Sequence, residues 1–182
     1  MKNKKLIPVV FAGLLIITLT VLAFASGGVI SLPKTGQTTV YQTGDDGTYQ
    51  RGVAWPNPRF NDNGNGTITD NLTGLMWEKA PSATTYTWSN AITVRIAALN
   101  SSALGGYTDW RLPNIIELES LINLSQLCQA NWLNNQGFSG VQIGQYWSAT
   151  TLFSCGLVRC VCTDGGYHDM IGTTRNVLAV RS

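Results

Sequence analysis

The 182-residue chain contains a single histidine, His168, and few charged residues, which make up 12% of the sequence. Because histidine is the commonest general base, this scarcity removes the usual partner of a catalytic nucleophile. The chain also has no glycine-rich phosphate loop and no nucleophile–base pair recognisable by spacing. Catalysis by carboxylates would require Asp62, Asp109 or Glu117 to converge, which the spacing does not predict. These absences predict a protein that is not an enzyme and needs no cofactor.

Long basic runs are absent too, apart from the extreme N-terminus. Three lysines in the first five residues precede an apolar stretch from Leu6 to Phe24, and Ala23-Phe24-Ala25 supplies small residues at a cleavage site. This pattern predicts a signal peptide over residues 1–25, with retention as a membrane anchor as the alternative. Cleavage leaves nine basic and ten acidic residues, so no electrostatic footprint for nucleic acid remains.

We therefore expect an exported protein, either secreted or on the cell surface, with the periplasm as a further location. A flexible lead-in is predicted at 26–31 and a single domain at 32–182, long enough to bury a core. Leu32-Pro33-Lys34-Thr35-Gly36 matches the sortase cell-wall sorting signal. That signal acts near a C-terminus, before an apolar tail, so we interpret these residues as an extended lead-in followed by a turn.

The segment from Phe60 to Trp77 carries two turn signals, at 62–66 and 71–74, around the alternating Thr67-Ile68-Thr69. Asn-Gly pairs tolerate positive φ, so the segment predicts linked β-hairpins. A calcium loop is the alternative interpretation. It fits poorly, because Leu72 occupies the position where an EF-hand has its bidentate glutamate.

Two helices are predicted in the middle of the chain. Thr87 or Ser89 caps the first, which runs over 90–99 with Ile92, Ile96 and Leu99 on one face. The second runs over 115–124. Asn114 and Glu117 form its capping box, and its predicted buried stripe comprises Ile115, Leu118, Leu121 and Ile122.

An extended segment precedes the second helix, with Trp110 and Leu112 pointing inward. We expect Glu117 to act as a cap and Asp109 to pair with backbone or with an arginine, rather than to form an acid–base pair. The C-terminal third predicts three strands, QYWSATT, LVRCVCTD and RNVLAVRS, in a small antiparallel sheet. Trp77, Trp110 and Trp147 are predicted core residues.

Several ordered blocks resemble the Lcl C-terminal domain family, found at the end of a bacterial collagen-like adhesin. They are TGQTTVYQTGDDG, DNGNGTITDNLTGLMW, GGYTDWRLPN with ELESLI, YWSATT and a closing V-x-A-V-R, spread over residues 32–182. The resemblance implies binding of polyanionic glycans and formation of a homotrimer. This chain lacks a Gly-x-y collagen stem, and its charge after cleavage is not basic.

The Trp110-Arg111-Leu112-Pro113 block is also similar to the formylglycine-generating-enzyme branch of the C-type-lectin-like fold. That resemblance implies an α+β domain in which two helices pack on a twisted antiparallel sheet with long loops. The copper-binding cysteines of that enzyme cannot be mapped onto this chain, so its activity does not follow.

Four cysteines are present, at Cys128, Cys155, Cys160 and Cys162. Export favours disulfides, and four cysteines allow three pairings. Cys160 and Cys162 point to the same side of a strand and do not pair easily with each other. Pairing of Cys155 with either of them across a hairpin is predicted, leaving Cys128 for the other. A zinc site lacks a second chelating pair, so no metal is predicted.

From Leu152 to Ser182 the chain has no Lys, Glu, Gln, Trp or Pro. Every residue there except Met170 can be encoded by a codon ending in a pyrimidine, as adenine-directed mutagenesis of AAC or AAT codons would produce. The variable proteins of diversity-generating retroelements have C-type-lectin-like folds with diversified C-terminal parts, and this chain resembles them. An ordinary sheet of biased composition is the alternative, and both remain open.

Under either interpretation the exposed side of the C-terminal segment is the predicted contact surface. Aromatic anchors mixed with charged and small polar residues suit recognition of a glycan or protein. The predicted contact residues are Tyr146, Phe153, Arg159, Tyr167, His168, Asp169 and Arg175. The sequence thus favours an exported binding module, with a structural appendage subunit and an enzyme of the formylglycine-generating-enzyme-like fold as the alternatives.

Overall fold

The computed structural model describes residues 32–152, 155–160 and 173–182, with the backbone alone for residues 152 and 155–160. The described residues belong to one compact unit, residues 31–182. The predicted signal peptide, the predicted cleavage site and the flexible lead-in at 26–31 lie outside the described residues. No helix in the described ranges is long and apolar enough to cross a membrane.

A four-stranded antiparallel sheet forms the centre of the domain, in the order β1–β2–β3–β6. Its strands are β1 (Phe60–Asp62), β2 (Thr67–Asp70), β3 (Met76–Glu78) and β6 (Val180–Arg181). The hairpin prediction is confirmed: Ile68 lies opposite Trp77, and Asp62 lies opposite Ile68. The Asn63 amide donates to the Thr67 and Thr69 hydroxyls, so it organises the turn between β1 and β2.

The first predicted helix is present, and Thr87 is its N-cap. Helix α2 (Trp88–Asn90) continues as a π-helix over Ala91–Ile96 and as α3 (Ala97–Ser101). The π-helical spacing places Ala91 and Ile96 on the buried side, at 0% and 6% exposure, and leaves Ile92 39% exposed. The prediction that Ile92 shares the buried face with Ile96 is therefore wrong.

The capping box of α4 (Ile115–Ser120) is confirmed. The Asn114 side chain accepts from the Glu117 backbone N–H, and the Glu117 carboxylate accepts from the Asn114 N–H at 2.7 Å. The helix is shorter than predicted. Leu118 and Leu121 are buried, whereas Ile115 and Ile122 are half-buried at the edge of the core.

Other helices were not predicted. Helix α5 (Gln129–Asn135) buries Trp132 and Leu133, and α1 (Asp46–Tyr49) is a single turn capped by Asp45. A 3₁₀ turn spans Leu104–Gly106. The domain is an α+β, loop-rich fold as predicted, with several short helices.

A second, two-stranded sheet pairs β4 (Gln145–Leu152) with β5 (Cys155–Cys160). These strands correspond to two of the three predicted C-terminal strands. Strand β6 lies in the third but pairs with β3 in the central sheet, so the prediction of a single sheet for all three is wrong. Tyr146 also forms a bridge with Asn176, which connects β4 to the last described segment.

Alternation along Val177–Val180 divides the interior into two apolar cores. Leu178 and Val180 belong to a core with Trp77, while Val177 and Ala179 belong to a core with Trp110 and Trp147. Successive side chains of an extended chain point to opposite sides, so one segment serves both cores. All three predicted core tryptophans are buried.

Candidate functional site

Tyr146 was predicted to be a contact residue, and this prediction is wrong. Its side chain is 0% exposed and belongs to the core with Trp77. Its hydroxyl accepts from the Gln142 N–H at 2.8 Å and donates to the Gln142 carbonyl at 3.1 Å. Burial raises the pKa of Tyr146 to about 12. Alternation along β4 did not reveal this, because both Tyr146 and its neighbour Trp147 point into cores.

Strand β4 is held on several sides by buried hydrogen bonds. The Trp147 indole donates to the Tyr86 carbonyl at 2.6 Å, and the Trp88 indole donates to the Ser148 carbonyl at 2.9 Å. The Ala149 N–H donates to the Pro113 carbonyl at 2.7 Å. These bonds join β4 to the first helical segment and to the approach to α4, so the strand is a rigid base for whatever follows it.

Strand β5 pairs with β4, and the backbone of Arg159 lies opposite Tyr146. Arg175 is half-buried: its backbone pairs with Tyr86, and its Nη1 donates to the Thr174 carbonyl at 2.9 Å. The remaining predicted contact residues are Phe153, Tyr167, His168 and Asp169, and they lie outside the described residues.

One predicted cysteine pairing is excluded by the backbone. Cys155 and Cys160 are the first and last residues of β5. Five steps along a strand separate their Cα atoms by about 16 Å. A disulfide needs a Cα separation below about 7 Å, so these two cysteines cannot pair with each other. Cys128, at the start of α5, packs beside the core that contains Trp77. Cys162 lies outside the described residues. The remaining pairings stay predictions.

Each of the three carboxylates considered for catalysis is paired with a different cation. Asp109 pairs with Arg181 at 2.7 Å, Glu117 with Arg111 at 2.7 Å, and Asp62 with Lys79 at 2.5 Å. The hydrogen bond from each cation holds the pKa of its carboxyl below the usual range. The predictions of a capping role for Glu117 and of arginine pairing for Asp109 are confirmed.

Glu78 differs from these surface carboxylates because it is 3% exposed in the centre of the sheet. Its Oε1 pairs with Arg95 of the π-helix, while its Oε2 and the Arg95 Nε have no hydrogen-bond partner among the described residues. Burial raises the pKa of Glu78 to about 7, although Arg95 favours the charged form. The described residues contain no group of three or more His, Cys, Asp or Glu side chains arranged to hold a metal ion.

One concave site in the described part was not predicted. It is a groove of about 460 Å³ beside Trp55. Trp55 donates from its indole to the Lys34 carbonyl at 2.8 Å, and its ring centre lies 5.7 Å from that of Trp132. Pro56 and Pro58 follow Trp55 and are typical of a loop, and nothing in the local pattern indicates which residues surround the ring.

Residues 32–35 form one side of this groove, and the whole segment Leu32–Gly36 is hydrogen-bonded into the domain. Lys34 and Leu32 exchange backbone hydrogen bonds with Val53, and the Thr35 carbonyl accepts from Leu124. The Ser125 hydroxyl donates to the Gly36 carbonyl at 2.5 Å. The extended lead-in predicted for this segment is therefore confirmed.

The Lcl C-terminal domain family model matches residues 66–181, which cover β2 to β6. The chain therefore belongs to the Lcl C-terminal domain family. A search of curated proteins and a search of solved structures each returned no matching protein.

Proposed function

We propose that the protein is an exported, non-catalytic ligand-binding module of the adhesin type. Its ligand is an extracellular glycan or protein, bound by β5 and the segment that follows it. The observation that carries this proposal is the contrast within the second sheet. Strand β4 is anchored by hydrogen bonds of the buried Trp147 and the half-buried Trp88, whereas β5 pairs only with β4 among the described strands. A rigid base that presents a peripheral segment suits recognition.

The pairing of carboxylates supports a non-catalytic role. A general acid–base pair needs two titratable groups within reach of one substrate. Asp62, Asp109 and Glu117 instead each hold a separate cation, and Glu117 also caps α4. The competing function is catalysis by an enzyme of the formylglycine-generating-enzyme-like fold. Such an enzyme would convert its substrate and consume oxygen, which can be assayed with cysteine-containing peptides and added copper.

The test of binding uses the chain beginning at Ser26, applied to a glycan array and to a panel of extracellular matrix proteins. Once a ligand is found, three separate variants are compared with wild type: Arg159→Ser, Tyr167→Ser and His168→Ser. Removal of an anchoring aromatic or cation is expected to weaken binding about tenfold. The control is Val94→Ser, since Val94 is 53% exposed on the π-helix. Equal binding by all four variants would contradict the assignment of the contact surface.

Diversification of this surface by adenine mutagenesis is a finer proposal, supported by the composition of residues 152–182. It predicts, next to the gene, a near-copy of its 3′ end that differs at adenines, together with a reverse transcriptase gene. Sequencing the surrounding genomic DNA tests this directly. If neither element is present, the idea is wrong, and disulfides remain the prediction for the cysteines of this segment.

Assembly is the third part of the proposal. The family resemblance implies a homotrimer, which sedimentation of the chain beginning at Ser26 can distinguish from a monomer. A structural appendage subunit would instead form open-ended polymers. Concentration-dependent growth beyond a defined oligomer would favour that alternative over a binding module.

A further inference from the structure

The groove beside Trp55 is large enough to hold a ligand and is lined mainly by apolar side chains. Its volume of about 460 Å³ falls within the range of about 300–1,000 Å³ that is typical of ligand sites. Its lining comes from residues 32–35, from Trp55 and Thr73, from α4 and from the loop after α4. The lining residues are Leu32, Pro33, Lys34, Thr35, Trp55, Thr73, Ile116, Glu119, Ser120, Ile122 and Leu124.

Three apolar side chains at the rim remain largely in solvent. Leu32 is 71% exposed, Ile116 66% and Leu124 58%, although all three line one groove. Clustered exposed apolar side chains around a concavity are typical of interaction sites. Because the rim is open, the groove suits a chain lying along it better than an enclosed small molecule.

The base of the groove is rigid. Arg59 is buried beneath it, with its guanidinium carbon 4.2 Å from the Trp55 ring centre and its Nη2 donating to the Ser120 carbonyl. Gly36 has φ +88°, and a Cβ there would lie 2.9 Å from the Trp55 ring and 2.4 Å from Asn123 Oδ1. A side chain at position 36 would therefore displace the ring. The site is preorganised, which lowers the entropy cost of binding.

A second concavity of about 240 Å³ shares Trp55 and Lys34 with the groove. Its other lining residues are mostly polar: Gly36, Gln37, Thr38, Gln50, Ala54 and Asn123. Gln50 is held in the left-handed region, at φ 44° and ψ 49°, a conformation that is uncommon for a residue other than glycine. An apolar section and a polar section thus follow one another on either side of Trp55.

The charge of Lys34 indicates where an acidic group of the ligand would bind. Lys34 lines both concavities, and no described carboxylate forms an ion pair with it. We propose that this two-part groove binds an extended peptide segment of a partner protein, in which an acidic residue lies between apolar residues on one side and polar residues on the other. No lining residue of either concavity belongs to β5, so the proposal does not depend on the proposed function.

The test is selection of a phage-displayed library of random dodecapeptides on the chain beginning at Ser26. Peptides with at least two apolar residues beside an acidic residue are expected to be enriched. Ile116→Asp is expected to weaken their binding about tenfold, through loss of apolar contact and added repulsion of the acidic residue. Ile143→Asp is the matched control, because Ile143 is also 66% exposed and lies outside the groove.

The Lys34→Glu variant tests whether Lys34 selects the acidic residue of the peptide. Selection on this variant is expected to replace the acidic residue of the enriched peptides by a basic one. Both substitutions are at solvent-accessible positions, and melting temperatures close to that of wild type would exclude unfolding as the cause. If Ile116→Asp does unfold, Leu124→Ser replaces it.

The proposal is overturned if no peptide is enriched, if the enriched peptides bind Ile116→Asp and Ile143→Asp equally, or if Lys34→Glu leaves the charge preference unchanged. Saturable binding of laurate that is lost in Ile116→Asp, in the absence of peptide enrichment, would assign the groove to a lipid and would also overturn it. The Arg159→Ser variant distinguishes binding at the groove from binding at the proposed contact surface on β5. It should leave peptide binding at the groove unchanged, whatever it does to glycan binding.

Discussion

Arg59 stacks on Trp55 at 4.2 Å while its guanidinium pairs with Asp70 in the interior. The ring centres of Phe60 and Trp132 lie 4.8 and 5.6 Å from the same guanidinium carbon. The Asp70 carboxylate also accepts from the Leu72 N–H. One buried cation therefore connects the central sheet to the wall of the Trp55 groove.

Asp70→Asn is expected to destabilise the domain strongly. The side chains of Arg59 and Asp70 are 3% and 0% exposed, so the substitution leaves a buried cation without its counter-charge. Breaking such a pair costs about 3–5 kcal/mol of unfolding free energy. Chemical denaturation measures this cost. Asp62→Asn is the control, because the Asp62–Lys79 pair is exposed and such pairs contribute about 1 kcal/mol or less. Similar losses in both variants would contradict the prediction.

Glu78 is expected to make stability depend on pH. Its pKa is about 7 in the folded state and 4.5 in the unfolded chain, so between these values the folded state binds more protons. This contribution to stability is fully present below pH 4.5 and is lost as pH rises through 7, a change of about 3 kcal/mol. Denaturation at several pH values measures the slope.

Glu78→Gln should flatten that slope between pH 5 and 8. His168→Gln is the control, because His168 is the only histidine and an unperturbed histidine titrates in the same interval. A slope that survives Glu78→Gln and disappears in His168→Gln would show that the histidine, and not the buried pair, is responsible.

Tyr146→Phe is expected to lower stability without weakening ligand binding. The substitution keeps the buried ring and removes the hydroxyl, which leaves the Gln142 N–H and carbonyl without this partner. Such a loss costs about 1–3 kcal/mol. Thermal unfolding and a binding titration on the folded variant separate the two effects. Weaker binding by a fully folded Tyr146→Phe protein would return Tyr146 to the contact surface.

Asn114→Ala is expected to cost about 1 kcal/mol, because it removes the N-cap of α4. Asn135→Ala is the control in a helix, since Asn135 is exposed and is the last residue of α5. Surface changes of this kind usually stay within about 0.5 kcal/mol. Equal effects in urea denaturation would mean that the cap does not stabilise the folded domain.

The sorting-signal sequence is expected to resist a sortase in the folded protein. Its backbone is hydrogen-bonded to Val53, Leu124 and Ser125, so it cannot enter a peptide-binding cleft without local unfolding. Incubation with a purified sortase and triglycine, followed by mass spectrometry, tests this. A synthetic peptide of residues 31–39 should react under the same conditions. Efficient cleavage of the folded chain would contradict the expectation.

Features that depend on near neighbours were predictable. The capping box needs only Asn114 and Glu117, three residues apart, and the hairpins of the central sheet follow from the turn signals at 62–66 and 71–74. The exposure of Ile92 was not predictable, because the π-helix shifts the face that meets the core. Helix α5 was not predicted because its short segment has little helical patterning. The helix is stabilised mainly by the packing of Trp132 and Leu133.

The family, the α+β class, the turns, the cap and the burial of the three tryptophans could be predicted from the sequence, since these depend on ordered motifs and local spacing. The contacts between residues distant in sequence depend on tertiary packing. This packing placed Tyr146 inside the domain, paired Asp109 with Arg181, and brought Leu32, Trp55 and Ile116 to one groove. The physical reason is that exposure and pairing are properties of the packed chain, and no local pattern contains them.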